Sequence, residues 1–429
     1  MLTPKTNRHH KNNEQLPEQK KRKRTQIHFE TPPIDLINKN NVFEILKGFK
    51  VSAVIAVIFF IVIQVSGMKC ITHRPQIHKV VNIYERWWKL LYLIPLANIG
   101  TYISWALKRL YLKRTISRKF TKNALTLLIV ILPFELFILR PRKFNVWAGL
   151  FLSLSCMTAT FKSWSYVMTL FDHLDKANNE EEKQQVLKRH QSHGSLKEFS
   201  HFLIRPWLIY ELEPPLKDKI EWKVIKKLII LALISNFTFS LIIGFGFQPI
   251  YSLESPWKNL FPNMVCLAPY TLLFWTNIFL FFFHCVLCLI GELSRYKPRG
   301  YYGAWWNQST LTNFWRDWNR PVHFFAIKYI YLPCKRAGIS SNVSGIIVFL
   351  ISGLLHEYLL WGMFGSWNFW VLLILLGQPL TMIIEKKIPK SLINIAGEVL
   401  KFITFFGGLI FLEIFYLRKY LQRNPEYLD

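Results

Sequence analysis

Apolar residues in this chain come in long blocks rather than short periodic runs, and stretches dense in Lys, Arg and Asn separate the blocks. A helix needs ~20 apolar residues to cross ~30 Å of hydrocarbon. Blocks near or above that length run at 51–67, 90–107, 124–139, 146–171, 228–249, 264–290, 344–364, 367–384 and 402–417. The pattern predicts an all-α polytopic membrane protein with about nine transmembrane helices, the third and the last marked as weakest by their shortness. Residues 1–45 hold few apolar groups and the run KKRKR, too little to offset the entropy of folding. They are expected to form a disordered basic cytosolic arm ahead of a membrane domain spanning 46–429. About forty polar residues precede the first block, unlike a cleavable signal, so that block is expected to act as its own insertion signal.

Charge then orients the chain. With the N-terminus in the cytosol, the loops 1–50, 108–123, 172–227, 291–343 and 385–400 carry 40 of the 54 Lys and Arg residues, and the opposite loops carry 12. Short cytosolic loops are the basic ones, which predicts N-terminus in and C-terminus out. The net charge of +28 then suits anionic headgroups or a polyphosphate ligand, with no need for nucleic acid. The six cysteines are scattered, and the CxxC of Cys285 and Cys288 sits in a run of Phe and Leu where thiols act as small hydrophobes.

Two cytosolic segments are long enough to carry function. In the first, 172–227, the stretch NNEEEKQQVLKRHQ reads as a charged helix, followed by FSHFLIRPWLIYELEPPLKDKIEW. The second, 291–343, combines many Trp, Tyr and Phe with Arg, Lys, Asp and His. Rings with polar edges favour the membrane interface, so this segment is expected to fold onto the cytosolic leaflet as interfacial or re-entrant helices.

The chemistry begins at SGLLHEYLLW, where His356 and Glu357 interrupt an apolar run. On a helix beginning at 344, His356 lies ~18 Å from the cytosolic end, near mid-membrane. An ionisable group there faces the bundle interior or a wet cavity and marks function by default; a neutral histidine bridging two helices is the plainer reading. Asn319 and His323, in WNRPVHFF, are spaced to share one helical face. Gln378, in LLGQPL, is a second polar group inside a span, and His284 and Glu292 lie in and below the sixth. Such a lining, reached from a basic face, fits an uncharged acceptor and a large anionic donor.

The succession FFFHCVLCLIGELSRYKPRGYYGAWWN, NFWRDWNRPVHFF and LISGLLHEYLL resembles the membrane-bound O-acyltransferase family, in its acyl-CoA:diacylglycerol and acyl-CoA:sterol branch. The likeness covers about 200–385 and rests on motif order: a His then Ala-Glu helix end, FYxDWWN, WNxPVH and His-Glu-Tyr. Two positions depart from it, because Ala304 stands where the motif has Asp and Gly291 where it has Ala. RPWLIYELEPPL and YLPCKRAGIS resemble the diacylglycerol type, whereas Trp222 in KIEWKVI is a sterol-type feature.

The resemblance implies an acyltransferase of the endoplasmic reticulum membrane that makes neutral storage lipid, takes acyl-CoA as co-substrate with no cofactor or metal, and forms homo-oligomers. His356 would be the general base. Asn319 and His323 would meet the acyl-CoA near its thioester, with the Asn319 amide a candidate for the oxyanion, and Gln378 would hydrogen-bond donor or acceptor. For Glu357 two readings stand, orientation of acceptor hydroxyls and a bond to a neighbouring helix. Trp318 is a substrate-contact candidate, and Trp305, Trp306 and Trp318 also read as interfacial packing; His284 and Glu292 read as structural bridges. The basic residues Arg295, Lys297, Arg299, Arg316, Arg320, Lys335 and Arg336 are expected to attract the donor. A lipid transporter with a polar midplane, or an inactive regulator of the same fold, stays open as the other class.

Overall fold

The computed structural model describes residues 87–139, 146–246, 257, 260–297, 300–389 and 391–423. The basic arm and the first apolar block, 51–67, lie outside them. Among the described residues the protein is helical throughout, with one isolated β-bridge between Leu216 and Tyr296.

Among the described residues six helices are long and apolar enough to cross a membrane: α1 Leu90–Leu112, α2 Arg118–Leu139, α6 Trp222–Ile242, α7 Leu260–Leu293, α10 Ser341–Phe364 and the Val399–Tyr420 part of α12. Two further blocks from the sequence form helices outside that set, and the count of nine is not reproduced. The Val146–Lys176 helix, α3, is 31 residues long but carries Lys162 and many Ser and Thr, while α11, Trp370–Glu385, has only 16 residues. The two short blocks prove long enough, because helical structure extends α2 back to Arg118, beneath the N-cap Ser117, and carries α12 beyond 417.

The two long polar segments, 172–227 and 291–343, are also largely helical among the described residues. The helix α4, Glu180–Ser192, is capped by Asn179, and α5, Leu196–Ile204, opens on a capping box of Ser195 and Glu198. The aromatic segment forms α8, Leu311–Trp318, and α9, which runs through Arg320–Ala326, Ile327–Tyr331 and Leu332–Arg336. The last helix, α12, begins at Ile393 and runs to Arg423. Among the described residues four stretches take the wider π-helical turn: Leu280–Val286 in α7, Ile327–Tyr331 in α9, and Phe402–Gly407 and Glu413–Leu417 in α12.

Packing centres on α3 and α10. Hydrocarbon tails give helices no hydrophobic reason to associate, so close approach over small residues matters; a Cβ on Gly149 of α3 would collide with the backbone of Gly362 in α10. On its other side α10 packs along α11, while α12 lies against α7 and α11. Lys162, buried in α3, donates to the carbonyls of Phe202, Leu203 and Arg205 at 3.0, 2.6 and 2.6 Å. Those are carbonyls at the end of α5, which a helix leaves without internal partners, so the buried ammonium fastens α5 to α3. Glu292, at the foot of α7, accepts from Lys217 Nζ and the Glu221 backbone, each at 2.7 Å. That is the bridging role expected of it.

Candidate active site

His356 sits 15 residues into α10, ~22 Å along its axis. Its side chain is exposed rather than packed into the core. Its Nδ1 lies 2.8 Å from the Ser352 carbonyl oxygen one turn back and 3.4 Å from Ser352 Oγ. A carbonyl can only accept, so Nδ1 carries the proton and the neutral ring keeps its lone pair on Nε2. The helix thus presents a base without help from any carboxylate.

Glu357 points elsewhere, as a step of ~100° around the helix requires. It is completely buried. One carboxylate oxygen accepts the backbone N–H of Asn368 at 2.7 Å and of Phe369 at 2.9 Å, and the other accepts Tyr416 OH from α12 at 2.6 Å. Phe369 has a left-handed backbone, φ 60°, a conformation that costs a residue with a side chain ~1–2 kcal/mol. The carboxylate holds that turn and joins α10 to both α11 and α12. Of the two readings, the geometry supports the bond to neighbouring helices and not the orientation of an acceptor.

Gln378 is buried in α11. Its Oε1 accepts from Trp315 Nε1 at 3.3 Å and Thr404 Oγ1 at 3.4 Å, and its Nε2 donates to the Thr404 carbonyl at 3.4 Å. It therefore links α8, α11 and α12. Trp318 is half-buried, with ring centroids 4.8–5.2 Å from Phe405, Trp305 and Phe279; this is packing within the largest apolar cluster, which also takes in Trp305 and Trp306.

Asn319 caps α9, its Oδ1 accepting from Val322 N at 3.3 Å, so its Nδ2 is the end that can donate. Four residues on, His323 is half-buried; burial foremost, with the Arg316 cation adding to it, pushes its imidazole down to about 4. It is neutral at physiological pH. His284 Nδ1 lies 2.8 Å from Tyr302 OH, which ties α7 to the aromatic segment as a structural bridge. No hydrogen bond joins His356 to Asn319, His323 or Gln378 among the described residues. The protein holds them on separate elements, α8–α9, α10 and α11, with Thr404 of α12 bonded to Gln378 and Tyr416 of α12 bonded to Glu357 beside His356.

Sequence reasoning missed four participants. Tyr416 and Thr404 give no signal of their own in an apolar run. Glu413, also in α12, accepts hydrogen bonds from Thr271 and, at 3.0 Å, from Trp275 Nε1; the rule that singled out His356 applies to it equally. The fourth, Asp317, bears on the donor-face expectation. Its buried carboxylate takes up Arg316 at 3.1 Å and Arg320 at 3.0 Å, so these two guanidiniums are engaged within the protein. Lys335 similarly donates to the Ile339 carbonyl at 3.0 Å.

Diacylglycerol O-acyltransferase 1 of Dictyostelium discoideum is 26% identical over 242 residues, 54% of this chain and 38% of that protein. Diacylglycerol O-acyltransferase 1A of Glycine max is 29% identical over 236 residues, 44% of this chain and 46% of its own length. Diacylglycerol O-acyltransferase 1 of Bos taurus is 32% identical over 178 residues, 39% and 36% of the two chains. The chain thus spans less than half the length of these curated relatives. The family match itself is broader: with residues 87–378 matched, from the start of α1 to Gln378, the chain belongs to the membrane-bound O-acyltransferase family.

Proposed function

We propose that this protein is an acyl-CoA:diacylglycerol O-acyltransferase that joins an acyl chain to the free hydroxyl of diacylglycerol to make triacylglycerol. The observation that carries the reading is the ring of His356, set in a helix long and apolar enough to cross a membrane, with Nε2 left as the basic nitrogen by the Ser352 carbonyl. The motif order and the names of the relatives support the choice of substrates.

In the reaction, His356 Nε2 takes the proton from the acceptor hydroxyl as its oxygen bonds to the thioester carbonyl carbon. The carbonyl electron pair moves onto oxygen, where Asn319 Nδ2 is the amide placed to donate; such a donor is worth ~3 kcal/mol where it acts on the oxyanion. Collapse of that intermediate breaks the carbon–sulfur bond. The coenzyme A thiolate leaves and takes the proton from the imidazolium, which restores the neutral base. No acyl-enzyme is required, because a thiolate is already a good leaving group. His323, neutral and beside Asn319 in sequence, suits contact with the thioester end of the donor without adding charge. The membrane itself delivers diacylglycerol and removes triacylglycerol. An endoplasmic reticulum location with a cytosolic N-terminus goes with the reading, since acyl-CoA is a cytosolic solute and the basic loops would face it.

The test is purified protein in detergent with labelled oleoyl-CoA and either diacylglycerol or sterol. Labelled triacylglycerol is the expected product. Steryl ester alone would move the assignment to the sterol branch, and no ester with either acceptor would overturn the enzyme reading in favour of a transporter or inactive relative.

A further inference from the structure

Asp317 stands in the last turn of α8, where the helix macrodipole disfavours an acid, and yet it is buried, at 2% exposure. Every feature around it compensates for that placement. Its Oδ1 accepts from Arg316 Nε at 3.2 Å and from Arg320 Nε and an Arg320 terminal nitrogen at 3.3 and 3.0 Å. Its Oδ2 accepts from Arg316 at 3.1 Å and from Gln308 Nε2 at 2.7 Å. Burial alone would raise the carboxyl, but the hydrogen bonds from Arg316 and Arg320 outweigh it and hold the group below the ordinary carboxylate value.

The backbone repeats the connection. Gly303 N–H donates to the Asp317 carbonyl at 2.7 Å, and Arg320 N–H donates to the Tyr301 carbonyl at 3.0 Å. A Cβ at Gly303 would stand 2.5 Å from Asp317 Cγ and 2.6 Å from Arg320, so glycine there lets the 301–307 strip lie directly on the carboxylate. The neighbouring residue is Ala304, at the position where the motif of the resemblance carries an aspartate. Next to Asp317 in the chain come Trp318, locked among aromatic rings, and Asn319, whose backbone is extended (φ −144°, ψ 85°) before it caps α9. The turn that aims Asn319 and His323 is therefore gripped by charge on one side and by aromatic packing on the other.

We propose that Asp317, clasped by Arg316, Arg320 and Gln308, is the positioning residue of the donor site, setting the Asn319 and His323 side chains against the acyl-CoA thioester. This rests on the acyltransferase reading. Asp317 touches no reacting atom; it acts through the 317–320 turn, and it supplies from α8 a carboxylate that position 304 lacks. Arg316 and Arg320 then serve the donor indirectly, by holding that turn.

The experiment compares wild type, Asp317→Asn, Asp317→Glu and Gln308→Leu in detergent, by thermal melting, oleoyl-CoA binding and acyl transfer. Asp317→Asn keeps the shape and removes the charge. It should raise the oleoyl-CoA KM about tenfold and lower turnover about as much, with the diacylglycerol KM unchanged and melting near that of wild type. Gln308→Leu removes one neutral donor and should move the same two parameters in the same direction by less, and it remains informative if Asp317→Asn is poorly folded. Asp317→Glu should recover part of the loss. Wild-type kinetics in both Asp317→Asn and Gln308→Leu would overturn the proposal while leaving the acyltransferase reading intact. Equal losses for both substrates, scaling with lowered melting, would reduce Asp317 to a structural tie and overturn it too. A wild-type protein that neither binds oleoyl-CoA nor transfers its acyl chain would remove the enzyme reading and this proposal with it.

Discussion

In the α10–α11 hairpin, neutral donors hold the polar groups: Glu357 by two backbone N–H groups and a tyrosine, Gln378 by a tryptophan and a threonine. In the 301–323 segment the same task falls to charge, with two arginines on Asp317. The difference follows the apolar character of the helices. The hairpin is built from apolar helices, where a guanidinium pair would be costly to bury, whereas the 301–323 segment lies outside the helices apolar enough to cross a membrane. Hence the hairpin positions its residues through helix rigidity, and the aromatic segment through electrostatics and ring packing. Their failures should differ in kind.

The sharpest contrast is between neighbours. His356→Ala removes the base and should cut turnover by ~10²–10⁴ in protein that still folds, and His356→Gln should do the same because an amide cannot hold the proton. Near-normal turnover in well-expressed His356→Gln would end the comparison by leaving the hairpin without chemistry. Glu357→Ala should instead act on the fold. It strands the Asn368 and Phe369 N–H groups, at about 1–3 kcal/mol for each buried donor, and should lower melting and yield while the surviving enzyme keeps its turnover. A specific loss of turnover with unchanged melting would restore the substrate reading of Glu357.

Gln378→Leu sharpens the picture further. It costs Trp315 and Thr404 their partner, about 1 kcal/mol apiece for ordinary hydrogen bonds, and should change both substrates' KM modestly. The smallest effect belongs to pH. A free histidine titrates at ~6.5, but His323 titrates at about 4 in the folded protein. Between these values the unfolded chain binds the extra proton, so stability should be full above pH 6.5 and fall as pH drops toward 4. His323→Gln should flatten that part of the melting profile; an unchanged slope would assign the loss to other groups.

How much of this could be read from the sequence depended on the same division. The blocks gave the all-α membrane bundle, and the intramembrane rule found His356 and Gln378, because one polar residue in an apolar run is a strong local signal. Helix spacing likewise brought out Asn319 and His323. The partners were not legible: Tyr416 lies 59 residues from Glu357 and Thr404 lies 26 from Gln378, and nothing local says which faces will meet. The pairing of Arg316 and Arg320 with Asp317 was not legible either, because composition counts charges without saying which are already paired. The shortness of α11 against its apolar block shows the same limit, since hydropathy does not register where a chain turns at Gly365 and Phe369.

The wide turns in α12 bear on how this sequence can change by insertion and deletion. A π-turn accommodates one more residue than the α-helical ladder needs, so removing a residue from Phe402–Gly407 would leave a continuous helix with its backbone bonds made. Everything beyond would be rotated by ~100°, carrying Glu413 away from Thr271 and Trp275 and Tyr416 away from Glu357. The helix would survive and its contacts with α7 and α10 would not. Length in this stretch is therefore coupled to the side chains at 413 and 416, so a tolerated deletion at 402–407 would need matching substitutions near those positions.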